Sequence, residues 1–436
     1  MKYTFKMARI WLGVYVALAL FPLLLGIMGY LPEYRGFLTE FGVALGFIGL
    51  GLLGLQFLYS GRISQIAPGF GMDNLLQYHR EMGIIAFLFI LAHPIIIITA
   101  DTGFISYFDP NENLPRAFAL IIVLPVTVLL IASSIWRLRF GLSYEKWRLV
   151  HGVFSVVVLL VGTGHSIQVA HYLGDLWKQL ILGGLFAFYG YLVVHTRLVR
   201  PWLNRRKPYR ISQVIPERGN CWTLNLEPVG HKGKKFECGQ FMWLTVGSNP
   251  FSMQQHPFSV SSACTERSLS VTVKALGDFT SSVKDIKPGT TAFLEGPFGS
   301  FSPEPGRHLF MVAGGIGITP VMSMIRTMHK RKDKREAILI YGNPDWEGVT
   351  FREELDEISR EINLKVVHVL EKPPEGWEGE SGLVNKDLLG KYLPHDPESF
   401  AYYICGPMPM QDAAELSLRD LGIDWRLVYS ERFQII

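Results

Sequence analysis

Six apolar runs of about twenty residues each fill the first 200 residues of this 436-residue chain. A run of this length is what an α-helix needs to cross the hydrocarbon core of a bilayer. The first run is too long for the core of a secretory signal and has no small-residue cleavage site after it, so we interpret it as an anchor. The sequence therefore predicts a six-span helical membrane domain. The runs lie near residues 10–30, 41–59, 82–100, 117–135, 149–165 and 176–194.

Basic residues flank alternate ends of these runs. They precede the first run, separate the second from the third and the fourth from the fifth, and follow the sixth, where the chain reads RPWLNRRKPYR. The other connections are acidic or nearly neutral, as in DTGFISYFDPNENLPR. By the positive-inside rule, both termini and the whole second half are expected in the cytoplasm. The net charge of +4 comes from these membrane-flanking residues, so it gives no reason to expect nucleic acid as a partner.

Two of the apolar runs carry a pair of histidines with the same separation. His79 and His93 are fourteen residues apart in the third run, as are His151 and His165 in the fifth. Fourteen residues advance an α-helix by about 21 Å and close to four turns, which leaves both side chains on roughly one face. Two such helices side by side would bring the histidines together in two layers. Facing imidazoles are the ligand set of a six-coordinate b-type haem, so we predict two haems stacked across the membrane.

A histidine inside a membrane can also be a polar side chain that is hydrogen-bonded within a helix bundle. The identical spacing and depth on two helices favour metal ligands over that alternative. His171 and His195 have no partner at this spacing, and we interpret them as interfacial side chains.

The second half has the composition of a soluble domain. From about residue 209 to 297, short alternating stretches separated by Gly, Pro and Asn predict a small antiparallel β-barrel. From about residue 307, strands and helices alternate up to a final helix near 408–421, which predicts a parallel, doubly wound sheet. We expect domains at 1–200, 201–303 and 304–436. The four cysteines show no CxxC spacing and are expected to be free thiols; they are Cys221, Cys238, Cys264 and Cys405.

Three motifs in this half carry chemistry. GDFTSSV (277–283) places hydroxyls and free backbone amides at an expected helix start, which suits a pyrophosphate. AGGIGITP (313–320) joins a strand to a helix, and its glycines let a dinucleotide approach the backbone closely. ICGP (404–407) ends a later strand at the same carboxyl edge of the sheet. Each motif alone is common in tight turns, but their order along the chain, together with HPFSVSS (256–262) and the histidine pairs, is far more specific for a dinucleotide site.

On these features the chain resembles a prokaryotic member of the ferric reductase and NADPH oxidase superfamily over essentially its full length, which implies an integral protein of a bacterial cell membrane. The resemblance rests on the two histidine spacings and on HPFSVSS, GDFT, EGPFG, GGIGITP and CGP. It implies a ferric-reductase-type transmembrane domain joined to a ferredoxin-reductase-like dehydrogenase. The animal oxidases have a histidine one turn after the outer ligand of the third span, where this chain has Ile97.

The resemblance also implies which residues bind the cofactors. FAD would be bound by His256, Pro257, Phe258, Ser259 and Thr280, and NADH or NADPH by Gly314, Gly315, Gly317, Thr319 and Pro320, with Cys405, Gly406 and Pro407 lining the nicotinamide. Lys274, Gly277, Ser281 and Ile316 complete the expected cofactor-binding set. Phe433 is expected to lie over the flavin ring, and Phe433 and Cys405 are the expected catalytic residues. The expected iron ligands are His79, His93, His151 and His165.

These parts predict a transmembrane NAD(P)H oxidase. Electrons would pass from NAD(P)H to FAD, then to the haem of His79 and His151, then to that of His93 and His165, and finally to external oxygen, giving superoxide. A ferric-chelate reductase with the same electron path is the first alternative. A donor of electrons to a periplasmic protein partner is the second, although no protein partner is required.

The choice between NADH and NADPH depends on the segment after the second strand of the parallel sheet. There AILIYG leads into NPDWEG, with Asn343 and Asp345 and no arginine before Arg352. An arginine would favour a 2′-phosphate and an acidic group the free ribose hydroxyl. We interpret the basic stretch HKRKDKRE (329–336) as a solvated helix end, and we expect NADH to be used at least comparably to NADPH.

Overall fold

A computed structural model describes residues 2–62 and 72–432 of the chain. The chain forms two compact units, one built mainly from residues up to Arg200 and the other from Pro201 onward.

Long helices make up the first unit, and six of them within the described residues include a stretch long and apolar enough to cross a membrane. The prediction of six spans is therefore confirmed. A 3₁₀ helix, Thr102–Phe108, joins the third to the fourth, and after the sixth the chain continues as a π-helical turn and the short helix α7 (Arg200–Asn204). The six are α1 (Lys2–Ile27), α2 (Phe37–Ser60), α3 (Met72–Ala100), α4 (Leu114–Ile135), α5 (Tyr144–Val169) and α6 (Leu176–Val194).

Capping side chains set where two of these helices begin. Asn113 accepts a hydrogen bond from the Arg116 amide at the start of α4, and Ser143 accepts one from the Lys146 amide at the start of α5. These side chains satisfy amides that have no partner within the helix.

Helix α2 lies at the centre of the bundle. Its apolar stretch is 61% buried within the unit, against 28% or less for the other five, so those helices are the ones that face lipid. Glycines allow the close packing of α2, because a Cβ at Gly51 would lie 2.2 Å from the carbonyl oxygen of Ala19 and one at Gly54 would lie 2.4 Å from the Tyr189 ring.

The second unit begins with a curled antiparallel sheet. Its six strands run in the order β4-β3-β6-β1-β2-β5, and a single bridge between Val260 and Val271 joins the two edges. Side chains such as Tyr209, Leu244 and Leu294 fill its interior, which confirms the predicted barrel. The strands are β1 (Tyr209–Glu217), β2 (Cys221–Pro228), β3 (Phe241–Val246), β4 (His256–Ser259), β5 (Leu269–Lys274) and β6 (Thr291–Phe298), with helix α8 (Asp278–Ser282) after β5.

A six-stranded parallel sheet follows, in the order β10-β9-β8-β7-β11-β12. The order reverses between β7 and β11, and ligands of such sheets bind at the carboxyl ends of the strands beside this reversal. The predicted doubly wound sheet is confirmed. Its elements are β7 (His308–Gly314), α9 (Ile318–Arg331), β8 (Ala337–Asn343), α10 (Arg352–Ser359), β9 (Leu364–Leu370), β10 (Glu380–Ser381), α11 (Lys386–Tyr392), β11 (Phe400–Cys405), α12 (Met408–Asp420) and β12 (Val428–Ser430).

Candidate functional site

The four spaced histidines of α3 and α5 meet as two pairs. In the first pair, His79 and His151, the ring centroids are 6.1 Å apart with an angle of 61° between the rings. In the second pair, His93 and His165, the corresponding values are 6.4 Å and 71°. Imidazole nitrogens bind first-row metals at about 2.0 Å, so two rings on opposite sides of one metal ion have centroids roughly 6 Å apart. Both pairs have the separation that a shared iron requires.

Hydrogen bonds fix the tautomer of one histidine in each pair. Nδ1 of His93 lies 2.9 Å from the carbonyl oxygen of Gly42, which can only accept, so Nδ1 carries the proton. Nδ1 of His151 lies 3.0 Å from the Ser134 hydroxyl, which already donates its own proton to the Leu130 carbonyl. Nδ1 of His151 must therefore donate as well. In both residues Nε2 is left with a free lone pair, the form in which histidine binds iron.

A cavity of about 200 Å³ surrounds the second pair. Its walls are mainly apolar side chains of α2, α4 and α5, such as Phe47, Leu124 and Val158. Gly46 leaves room for the imidazole, since a Cβ there would lie 2.6 Å from Nδ1 of His93. An apolar cavity with two facing imidazoles fits a bis-histidine haem, so the residues present suit the predicted group.

A polar cluster lies at the end of the bundle nearest the second pair. Arg35 binds Glu40 with its Nε 3.2 Å from the carboxylate, and the Tyr172 hydroxyl donates to the other carboxylate oxygen. Arg35 and Tyr172 both line the cavity of His93 and His165. No sequence pattern indicates this cluster, because Glu40 and Tyr172 are 132 residues apart and neither belongs to a motif.

In the barrel, the HPFS strand faces the short helix α8. The rings of His256 and Phe279 stack with centroids 4.0 Å apart and planes 12° apart, and Phe258 lies 6.2 Å from the same Phe279 ring. Ser259, at the end of β4, is buried. Phe279 was missed by the sequence analysis, although it stands inside the GDFTSS motif.

The Thr280 hydroxyl is engaged within its own turn. It accepts hydrogen bonds from the amides of Leu276 and Gly277 and donates to the Gly277 carbonyl. Ser281 follows it in α8, and Lys274 ends the neighbouring strand β5. The structure thus places Lys274, Gly277, Thr280 and Ser281 together, with Thr280 shaping the turn. A role for these residues in binding FAD stays a prediction.

At the reversal of the parallel sheet, the loops after β7 and β11 pack backbone against backbone. A Cβ at Gly317 would lie 2.4 Å from the carbonyl oxygen of Cys405, and one at Gly406 would lie 3.0 Å from Gly314. The buried Gln411 amide donates to the Gly406 carbonyl at 2.7 Å and to the Glu431 carbonyl at 3.1 Å. Gly317 and Gly406 are therefore required by this close approach, whether or not a dinucleotide also uses it.

The remaining residues of these two motifs stand around the same loops. Gly315 and Ile316 form the 3₁₀ turn after β7, where Gly315 has a positive φ of 51°. Thr319 and Pro320 lie in the first turn of α9 and are buried, and Pro407 immediately precedes α12.

Cys405 lies fully buried at this edge. Burial, with a smaller contribution from the negative charge of Glu431, raises the pKa of the Cys405 thiol well above its ordinary value. The thiol is therefore protonated at neutral pH and is not a nucleophile. Glu431, which the sequence analysis did not identify, is also buried. Phe433, the other expected catalytic residue, lies outside the described residues.

A second cavity, of about 210 Å³, opens at the carboxyl ends of β7 and β8. Gly315, Asn343 and Asp345 line it from the sheet, and Cys221 and Lys274 line it from the barrel. Asp345 accepts a hydrogen bond from the Gly348 amide at 2.7 Å. No residue of the basic stretch 329–336 is among the described residues that line this cavity. Arg335 instead binds Asp333, whose pKa it lowers.

Comparison with known families matches all three parts of the chain. Residues 45–162 match the ferric reductase like transmembrane component, residues 220–302 an FAD-binding domain, and residues 311–415 an oxidoreductase NAD-binding domain. Along the chain, a ferric-reductase-like membrane domain is therefore followed by the FAD- and NAD(P)H-binding domains of oxidoreductases.

Curated relatives resemble part of the chain. NADH-cytochrome b5 reductase 1 of Pyricularia oryzae is 32% identical over 152 residues, which cover 34% of this chain and 49% of that protein. NADH-cytochrome b5 reductase 2 of Rattus norvegicus is 32% identical over 176 residues, 35% of this chain and 64% of that protein. The chain thus spans about half to two thirds of the length of these relatives. Among solved structures, the cytochrome b5 reductase domain of Ulva prolifera nitrate reductase aligns with 52% of this chain and 98% of its own at 18% identity, with a TM-score of 0.46.

Proposed function

We propose, for a chain that has the ferric reductase and NADPH oxidase architecture, that it is a transmembrane NAD(P)H oxidase. Electrons from NAD(P)H would pass through FAD and two bis-histidine b-type haems to oxygen, giving superoxide. The observation that carries this proposal is the meeting of four histidines as two pairs, at 6.1 and 6.4 Å, inside a six-helix bundle. Two pairs at different depths supply a path that a single pair would not.

The chemistry of electron transfer belongs to the cofactors: a flavin takes a hydride as two electrons and passes them on singly, and each haem takes one. The protein's part is to hold ligands and shape cavities. Ser134 and Gly42 orient His151 and His93. Their hydrogen bonds keep each Nε2 free for iron.

The order of the two pairs follows from helix direction. His79 and His151 lie near the starts of α3 and α5, and the antiparallel α6 ends on that same side of the bundle. From there the chain continues into the FAD-binding domain, so the first pair would receive electrons before the second. Basic residues concentrate on this side, which we propose to be cytoplasmic. They include Arg80, Arg137, Arg139, Lys146 and Arg148.

The charge on the opposite side favours a neutral acceptor. The three connecting segments on that side, residues 28–40, 101–116 and 170–178, together contain six carboxylate side chains and three cationic ones. Each of these cations is paired: Arg35 with Glu40, Arg116 with Glu112, and Lys178 with Asp175. An anionic ferric chelate would meet net negative charge there, whereas oxygen is indifferent to it and can enter an apolar cavity. This supports superoxide formation over chelate reduction.

The test uses the full chain, purified with FAD and supplied with NADH or NADPH. In air we expect oxygen consumption and reduction of cytochrome c that superoxide dismutase abolishes. Under nitrogen, ferric citrate should be reduced more slowly than oxygen is in air. The chain is a ferric-chelate reductase if, in air and under nitrogen alike, it reduces ferric citrate faster than it consumes oxygen in air, and if superoxide dismutase does not slow the reduction of cytochrome c. If only a protein acceptor is reduced, it is a donor module.

A further inference from the structure

The four histidines differ in what holds the nitrogen that faces away from the proposed iron. Gly42 holds Nδ1 of His93, and Ser134 holds Nδ1 of His151. Nδ1 of His165 and Nδ1 of His79 are both buried and make no hydrogen bond of good geometry within the described residues. Ligating histidines almost always donate from this nitrogen, so the surroundings of the last two decide how each pair is held.

His79 has an acceptor beside it. Helix α2 runs antiparallel to α3, so residues further along α2 contact residues earlier in α3. Gly42 contacts His93, and Gly49 contacts Ile90. Gln56 lies beside Gly83, which is one helical turn after His79. The His79 ring approaches the backbone carbonyl of Gln56. The Gln56 carbonyl thus stands beside His79 as the Gly42 carbonyl, fourteen residues earlier on α2, stands beside His93.

Nδ1 of His165 has no such acceptor within the part of the chain that the structure describes. On α4, Ser134 faces His151, and fourteen residues earlier, at the position facing His165, stands Leu120. Leu120 and His165 line the same cavity, which agrees with this register. A leucine cannot accept a hydrogen bond. Among the described residues, each histidine of the first pair therefore has an acceptor beside it, whereas in the second pair only His93 has one.

We propose that this difference makes the first pair the site of lower reduction potential, so that electron transfer toward the second pair is downhill. The inference rests on the proposed binding of two haems. A histidine that donates its Nδ1 proton becomes a more basic ligand and stabilises the oxidised iron, which lowers the potential. Ser134 acts through His151 and is a positioning residue.

The experiment is a potentiometric titration of the haem absorption bands in the purified full chain, after the haem content has been measured. Wild-type protein should titrate in two waves. Ser134→Ala should move the lower wave to more positive potential, and Ser134→Thr, which keeps the hydroxyl, should leave it near the wild-type value. Leu120→Ser, which offers His165 an acceptor, should move the upper wave to more negative potential.

Ser133→Ala is the matched control. Ser133 is the neighbouring residue on α4, and its hydroxyl bonds to the same Leu130 carbonyl. Neither wave should move in this variant. The inference is wrong if Ser134→Ala moves the upper wave or neither wave, or if Ser133→Ala shifts the potential as much as Ser134→Ala does. A wild-type protein with fewer than two haems would instead contradict the proposed function.

Discussion

Gly46 sets how closely the imidazole of His93 can approach α2. A Cβ at this position would lie 2.6 Å from Nδ1, closer than two such atoms can come, and would push the ring away from the Gly42 carbonyl. We therefore expect Gly46→Ala to lose roughly one of two haems per chain, since a displaced ring cannot complete the ligand set. The measurement is haem content by pyridine haemochrome assay.

Gly164→Ala is the control for that variant. Gly164 is next to His165, yet a Cβ there would meet nothing within 4 Å. Its haem content should equal that of the wild type. Retention of both haems with an unchanged spectrum in Gly46→Ala would show that the second pair is not held as described.

Cys405 should be chemically silent in the folded protein. It is fully buried, and burial and the charge of Glu431 raise its pKa. A raised pKa means that the reactive thiolate forms only at higher pH than for an ordinary thiol. With iodoacetamide at about pH 8 we expect Cys264, which is partly exposed, to be alkylated first and Cys405 only on unfolding. Peptide mapping by mass spectrometry measures this, and alkylation of both at equal rates would contradict it.

Among the elements, helix α9 contacts both the barrel and helix α10 through Arg326. Arg326 donates to the Ser261 carbonyl at 2.7 Å and binds both carboxylate oxygens of Glu354, at 2.7 and 2.6 Å. Arg326→Ala should lower the stability of the dehydrogenase unit by about 1–3 kcal/mol, because hydrogen bonds to charged groups are the stronger ones. Thermal unfolding followed by flavin fluorescence measures the loss.

Arg419→Ala removes an arginine from the same unit at an exposed pair with Asp420, 3.5 Å apart. Exposed pairs contribute little, so its unfolding temperature should be near that of the wild type. Equal losses in the two variants would mean that Arg326 has no special role in docking α9.

The elements themselves were predictable from the sequence. The expected strand HLFMVAG corresponds to β7 (His308–Gly314), and the helix expected near 408–421 is α12 (Met408–Asp420). The histidine pairing also followed from spacing. Spacing within one element does not reveal which residue of another element it contacts. Neither the bond between His93 and the Gly42 carbonyl nor the stacking of Phe279 on His256 could be predicted in this way. Periodicity fixes the face of an element, whereas such partners depend on the register between elements distant in sequence.

For the molecule as a whole, the cavity beside β8 bears on which dinucleotide is used. Asp345 and Asn343 line it, with Lys274 as its one cation among the described lining residues. No arginine fork for a 2′-phosphate is present in that lining, and the carboxylate favours a free ribose hydroxyl. We expect NADH to be used at least comparably to NADPH. The ratio of kcat/KM for the two decides this, and a preference for NADPH above about a hundredfold, roughly 2.7 kcal/mol, would contradict it.

The central claim is that electrons cross the bundle through the two histidine pairs. It is tested most directly with the full chain in sealed vesicles, with NADH outside and cytochrome c trapped inside. Molecules whose dehydrogenase unit faces outward should reduce the trapped cytochrome c, and superoxide dismutase sealed inside should abolish the signal. His93→Ala should stop this reduction while NADH still reduces the flavin. Reduction of external acceptors alone, with none inside in the wild-type protein, would contradict the account.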